Sequence, residues 1–104
     1  MYAAIRQSNA KPGALDEVVR RVDDDLMPAL TGMPGFLSYY LITGADAAVT
    51  TVSVFETEAE AEACNQFVVR WIAENLRELV ARPPDALEGR VAVYRAQAAA
   101  PAAR

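Results

Sequence analysis

Large apolar residues fall on odd and even positions alike in the segments of this chain that read as strands. Tyr39-Tyr40-Leu41-Ile42, Val52-Val54-Phe55 and Val91-Val93-Tyr94 all carry them on both parities. Successive strand residues point to opposite sides of a sheet, so such strands need cover on both faces. The pattern predicts strands over Tyr2–Gln7, Phe36–Thr43, Val49–Phe55 and Arg90–Ala96. A first helix is predicted from Ala14 to Leu26, where Leu15, Val18, Val19, Val22 and Leu26 recur at helical spacing. Thr57-Glu58-Ala59-Glu60 fits a capping box, with Thr57 as the cap and Glu60 reaching back to it. The helix it opens is predicted to run to Val80, before Arg82-Pro83-Pro84.

Strand-helix-strand-strand-helix-strand is the split β-α-β order of ferredoxin-like α+β folds. Two helices then cover one face of a four-stranded antiparallel sheet. Leaving the other face to water would forfeit the burial of roughly eight apolar side chains at ~1.5 kcal/mol or more each. That is about 10 kcal/mol, the whole net stability of a typical domain. A second copy is the expected cover, with the two sheets meeting as an eight-stranded barrel across a homodimer.

Residues 1–96 are expected to form one domain, and the alanine- and proline-rich 97–104 a disordered tail. No apolar run approaches the ~18–20 residues of a membrane span. The net charge is −4, and of the ten basic residues only Arg20 and Arg21 adjoin, so no nucleic-acid footprint is expected. A single cysteine, Cys64, and the absence of a signal-like start make the cytoplasm the expected compartment. The chain contains no histidine. That removes Ser-His-Asp and Cys-His catalysis, histidine general bases and histidine-ligated zinc or haem.

Several stretches carry a family resemblance. Lys11-Pro12-Gly13 precedes the first helix, Met33-Pro34-Gly35-Phe36 opens the second strand, and Ser53-Val54-Phe55-Glu56-Thr57-Glu58 leads into the second helix. Over about Tyr2 to Ala96 the chain resembles the antibiotic biosynthesis monooxygenase-like domains of the dimeric α+β barrel superfamily. The resemblance implies small-molecule chemistry such as cofactor-free oxygenation of polycyclic hydroquinones, haem degradation or isomerisation. Family oxygenases carry an Asn and a Trp on the second helix, which points to Asn65 and Trp71, although their separation here differs from that in the active enzymes. The histidine ligand of the haem degraders is missing.

On the second helix, Phe67, Trp71, Cys64, Val68, Leu79, Ile72, Leu76 and Val69 span an arc of about 200°. Asn75 falls inside that arc, and Asn65 lies beside Ile72 and Leu76. A buried carboxamide needs partners or costs about 1–3 kcal/mol. Each Asn therefore either bonds to nearby backbone, solvent or a partner chain, or lines a cavity where a ligand oxygen completes its bonding. Trp71 is either a core filler or a surface on which a flat substrate stacks. Tyr39, Tyr40 and Tyr94 have Ser38, Thr51 and Ser53 as polar neighbours, and some of these must face a pocket between helix and sheet. Arg95 would stabilise an enolate or phenolate there, or sit solvated at an edge; Arg6 carries the same ambiguity. Asp23-Asp24-Asp25 cannot converge on one metal ion, because consecutive helical residues diverge by about 100°.

The expected function is a homodimer binding a small hydrophobic or aromatic molecule, acting as a monooxygenase without cofactor or metal on planar, hydroquinone-like substrates. Asn65 and Trp71 are the expected catalytic residues, with Asn75, Tyr39, Tyr40 and Arg95 contacting substrate. A non-catalytic metabolite-binding or structural dimer and a cofactor-free isomerase are the alternatives.

Overall fold

The computed structural model describes residues 1–97. The tail expected over 97–104 therefore lies, except for Gln97, outside the described residues. The strands are β1 (Tyr2–Asn9), β2 (Phe36–Gly44), β3 (Ala48–Phe55) and β4 (Asp85–Arg90). They form one antiparallel sheet in the order β2-β3-β1-β4, the ferredoxin-like arrangement. A helical arm comprises α1 (Leu15–Arg21), a π turn (Val22–Leu26) and α2 (Met27–Thr31), and the second helix is α3 (Glu58–Asn75). No helix among the described residues is long and apolar enough to cross a membrane.

The first helical arm buries Val18, Val22, Leu26 and Leu30, each four positions after the last. In a regular α-helix that spacing drifts about 40° per step. The Met27 N–H bonds back five residues to the Val22 carbonyl, and this wider turn absorbs part of the drift. On the surface, Arg20 pairs with Glu17 at 2.6 Å and Arg21 with Glu17 at 2.7 Å. Asp23, Asp24 and Asp25 are exposed.

The second helix begins as predicted, with both bonds of the Thr57–Glu60 capping box present at 3.2 Å. It ends at Asn75 rather than Val80. Leu76 leaves helical geometry and is buried, and residues 79–81 bond to the end of β1 and the loop after it. Lys11 donates to the Leu79 carbonyl and Ala81 to that of Asn9, both at 2.8 Å. These long-range bonds replace the helical turn the apolar spacing predicts.

The last strand also differs, running over Asp85–Arg90 instead of Arg90–Ala96. Its ladder with β1 pairs Gln7 with Asp85, Ile5 with Leu87 and Tyr2 with Arg90. At Val91 the pairing reaches Met1, whose carbonyl accepts at 2.9 Å. Val93 and Tyr94 are left exposed.

The two faces of the sheet follow from register. Toward the helices point Ala4, Arg6 and Ser8 of β1, Val49, Thr51, Ser53 and Phe55 of β3, and Tyr39 of β2. Phe55 meets Phe36 edge to face at 5.8 Å and closes one end of the core. On the other face a row crosses all four strands: Tyr40 opposite Val52, Val52 opposite Ile5, Ile5 opposite Leu87. Tyr40 is 58% exposed, Leu87 68% and the neighbouring Ile42 53%. This is the doubly apolar pattern of the sequence, with one face filled by the helices and the other open.

Candidate functional site

The centre of the inner face holds a charged side chain where a core residue would be ordinary. Arg6 is 1% exposed. Its Nε donates to Thr51 Oγ1 at 3.1 Å, its Nη1 to Asn65 Oδ1 at 2.7 Å and its Nη2 to Ser53 Oγ at 2.9 Å. The strands set this arrangement, because Thr51 lies directly opposite Arg6 in the β1–β3 ladder and Ser53 two residues along on the same face. Helix α3 supplies Asn65 from above.

All three partners are neutral, and no carboxylate lies within ion-pair distance of Arg6 among the described residues. Burial lowers the pKa of Arg6; Tyr39 and Cys64 act in the opposite direction, and the exposed Glu88 does so most weakly. A guanidinium nevertheless keeps its proton in proteins. Burying such a charge without a counter-ion costs several kcal/mol, only partly offset by neutral hydrogen bonds. A guanidinium has five N–H donors, and three are engaged. One N–H on each terminal nitrogen is left over.

Arg6 borders an internal cavity of about 30 Å³ between the sheet and the helices, with room for about one or two water-sized groups. Ser8, Tyr39 and Thr51 also border it, beside Val18, Val22, Leu26, Ile72 and Leu76, and the surface it offers is apolar. The Tyr39 hydroxyl is buried beside Thr51 and Arg6 and makes no hydrogen bond of regular geometry to either. Burial raises its pKa, so it stays a protonated phenol. The nearby Cys64 thiol is likewise pushed up by burial, which leaves it unreactive as a thiolate. The accessible wall of the cavity is apolar, and the spare guanidinium donors and the Tyr39 phenol lie just behind it, in surroundings that strengthen any charge interaction made there. An oxygen carrying negative charge is the group these side chains suit.

The sequence-predicted site residues divide. Tyr39 borders the cavity and Asn65 holds the guanidinium. Trp71 lies six positions from Asn65, about 120° around the helix, and packs half-buried against the hydrophobic core. By angle Asn75 falls inside the apolar arc, between Cys64 and Val68. It is exposed at the end of α3, its Nδ2 donating to the Trp71 carbonyl at 3.0 Å, because the helix stops there. Tyr40 is on the opposite face of the sheet, and Arg95 is exposed beyond β4. Neither reaches the cavity. Arg6 is the residue that sequence reasoning underweighted. The available signal was parity: Arg6 shares one strand face with the small residues Ala4 and Ser8, and Thr51 shares one with Ser53 on β3.

A model of the antibiotic biosynthesis monooxygenase family matches residues 1–66, which include Arg6, Tyr39, Thr51, Ser53 and Asn65. The chain belongs to that family. The solved structures agree with this at the level of fold. A protein of unknown function from Nitrosomonas europaea superposes with a TM-score of 0.79 at 17% identity, over 94% of this chain and 95% of that one. A Mycobacterium tuberculosis protein gives 0.71 at 15% identity, over 91% and 98%. A monooxygenase of Streptomyces coelicolor, solved in complex with nanaomycin D, gives 0.66 at 21% identity, over 91% and 92%. No curated protein matches the chain.

Proposed function

We propose that this member of the antibiotic biosynthesis monooxygenase family is a homodimeric, cofactor-independent monooxygenase acting on aromatic or planar hydroquinone-like substrates. The observation that carries the reading is the buried Arg6, uncompensated and with two unused donors beside a cavity. In the reaction a substrate methylene and one dioxygen become a ketone and one water. The substrate loses a carbon-bound proton to solvent, and its enolate supplies the electrons that reduce dioxygen. The protein's task is to favour the enolate. Arg6 does so by donating to the developing oxyanion, the kind of preorganised donor worth ~10²–10³ in rate. Tyr39 donates to the same oxygen, and Asn65, Thr51 and Ser53 are positioning residues that fix the plane of the guanidinium.

Trp71 is left to packing in this reading. Dimerisation through the open face, along the row from Tyr40 to Leu87, supplies the cover that the exposed apolar side chains lack. The cavity alone is too small for a polycyclic ring system, which favours, as a second reading, a metabolite-binding protein that performs no oxidation. Oxygen uptake with anthrone tests both. The first reading requires uptake in the wild type and its loss in Arg6→Met. Binding of anthrone under nitrogen with no oxygen consumed in air would favour the second.

A further inference from the structure

The inner cavity has room only for the head of a ligand, and a groove on the other side of three of its lining side chains has a distinct charge. A surface groove of about 440 Å³ lies between α3 and the segment before β4. Ile72, Val80 and Pro84 line both the groove and the inner cavity, so these three side chains have one side in each. Its charged edges are Lys11, Arg77 and Arg82, and no carboxylate lines it. Arg82 is occupied by Asp85 at 3.0 Å, whereas Lys11 and Arg77 have no ion-pair partner among the described residues. In a chain of net charge −4 this is a local inversion of sign.

Resting on the oxygenase reading above, we infer that the groove selects the substrate: a planar aromatic acid, its carboxylate at Lys11 and Arg77 and its reacting oxygen directed toward Arg6. The volume suits this division, since ligand sites commonly measure ~300–1,000 Å³ with apolar walls and a few polar anchors. The two ends then do different things. Lys11 and Arg77 discriminate among ligands in the ground state, while Arg6 acts on charge that develops during reaction.

The test is equilibrium dialysis with two product-like probes of nearly equal shape, anthraquinone-2-carboxylate and anthraquinone-2-carboxamide. The carboxylate is expected to bind about fivefold tighter at low salt, a typical gain for partly exposed charge pairs, and this preference should shrink at high salt. The double variant Lys11→Gln, Arg77→Gln should abolish the preference and leave carboxamide binding unchanged; Arg70→Gln, outside the groove, should leave both unchanged. Equal binding of the two probes, or a preference that survives the double variant, overturns the inference. In that case carboxamide binding lost in Arg6→Met would leave the oxygen site standing by itself. Affinities of both probes unchanged by Arg6→Met, with the carboxylate preference intact, keep the groove as an acid site and remove the oxygen site. Failure of both probes to bind overturns both.

Discussion

Arg6 and Asn65 lie 59 positions apart in the chain, yet the guanidinium Nη1 donates to the carboxamide Oδ1 across 2.7 Å. That contact ties the first strand to the second helix through a charge that water does not reach. Its two ends should respond to mutation for different reasons. Asn65→Ala leaves a buried cation short of an acceptor and should cost about 1–3 kcal/mol. Arg6→Met removes the desolvated charge but leaves the Thr51, Ser53 and Asn65 oxygens without their donor; the two effects oppose, so the net loss should be no larger than about 1–3 kcal/mol. Urea denaturation of both variants checks this. A severely destabilised Arg6→Met beside an unaffected Asn65→Ala would contradict the energetics argued for the site.

Tyr39 offers a pH-dependent readout. Its buried hydroxyl makes no hydrogen bond of regular geometry, and burial raises its pKa. A phenol that ionises later in the folded than in the unfolded chain contributes stability fully present below the ordinary phenol pKa. That contribution is lost as pH rises through the folded value. Tyr39→Phe should therefore remove the most alkaline tyrosinate transition in the ultraviolet. It should also flatten the fall of melting temperature in that alkaline window. Because an unpaired polar atom leaves the core, it should stabilise the protein by about 1 kcal/mol at neutral pH. A loss of stability at neutral pH would mean that the hydroxyl has a partner after all.

Gly35 has a left-handed φ of +78°, and a Cβ there would run into the Glu60 carboxylate that completes the α3 capping box. The Gly35 carbonyl also accepts from Glu56 N at 3.0 Å, so loop and cap are one unit. Gly35→Ala combines a backbone cost of ~1–2 kcal/mol with part of a cap worth ~1 kcal/mol. A loss of about 2–3 kcal/mol in chemical denaturation is the expected result, and Glu60→Ala should relieve the steric part of it. If the second substitution only adds to the loss, the clash is not the cause.

The open sheet face makes an assembly prediction. Val52 sits in the middle of the row joining Tyr40, Ile5 and Leu87, and its neighbours on both sides are apolar. Val52→Glu should convert a dimer into a monomer in sedimentation velocity, with the helix-covered core intact by circular dichroism. A wild-type chain that sediments as a monomer at micromolar concentration would leave this face without its proposed cover.

Much of this architecture was legible from local signals. The Thr57–Glu60 box fixed the start of α3, and mixed parity on the strands pointed to a sheet needing two covers. What escaped depends on which strand lies opposite which. Arg6 looks like an edge residue until Thr51, 45 positions away, is set beside it. The last strand was misplaced because apolar content suggested Val91 to Tyr94, while the register with β1 places the ladder over Asp85–Arg90. Asn75 was assigned to the interior from its angle on the helix; as the last residue of α3 it is exposed, and its side chain bonds back to the Trp71 carbonyl.

The Asp23-Asp24-Asp25 run sits inside the π turn, between the buried Val22 and Leu26. Each Asp is solvated, so polar replacements there should be tolerated. Removing one is a different matter. With one residue fewer, Leu26 and everything after it would rotate by about 100° relative to Val18 and Val22, and the wall of the cavity they share would open. What this acidic stretch encodes is therefore a length rather than a charge: a three-residue spacer that keeps two parts of one helical arm in phase.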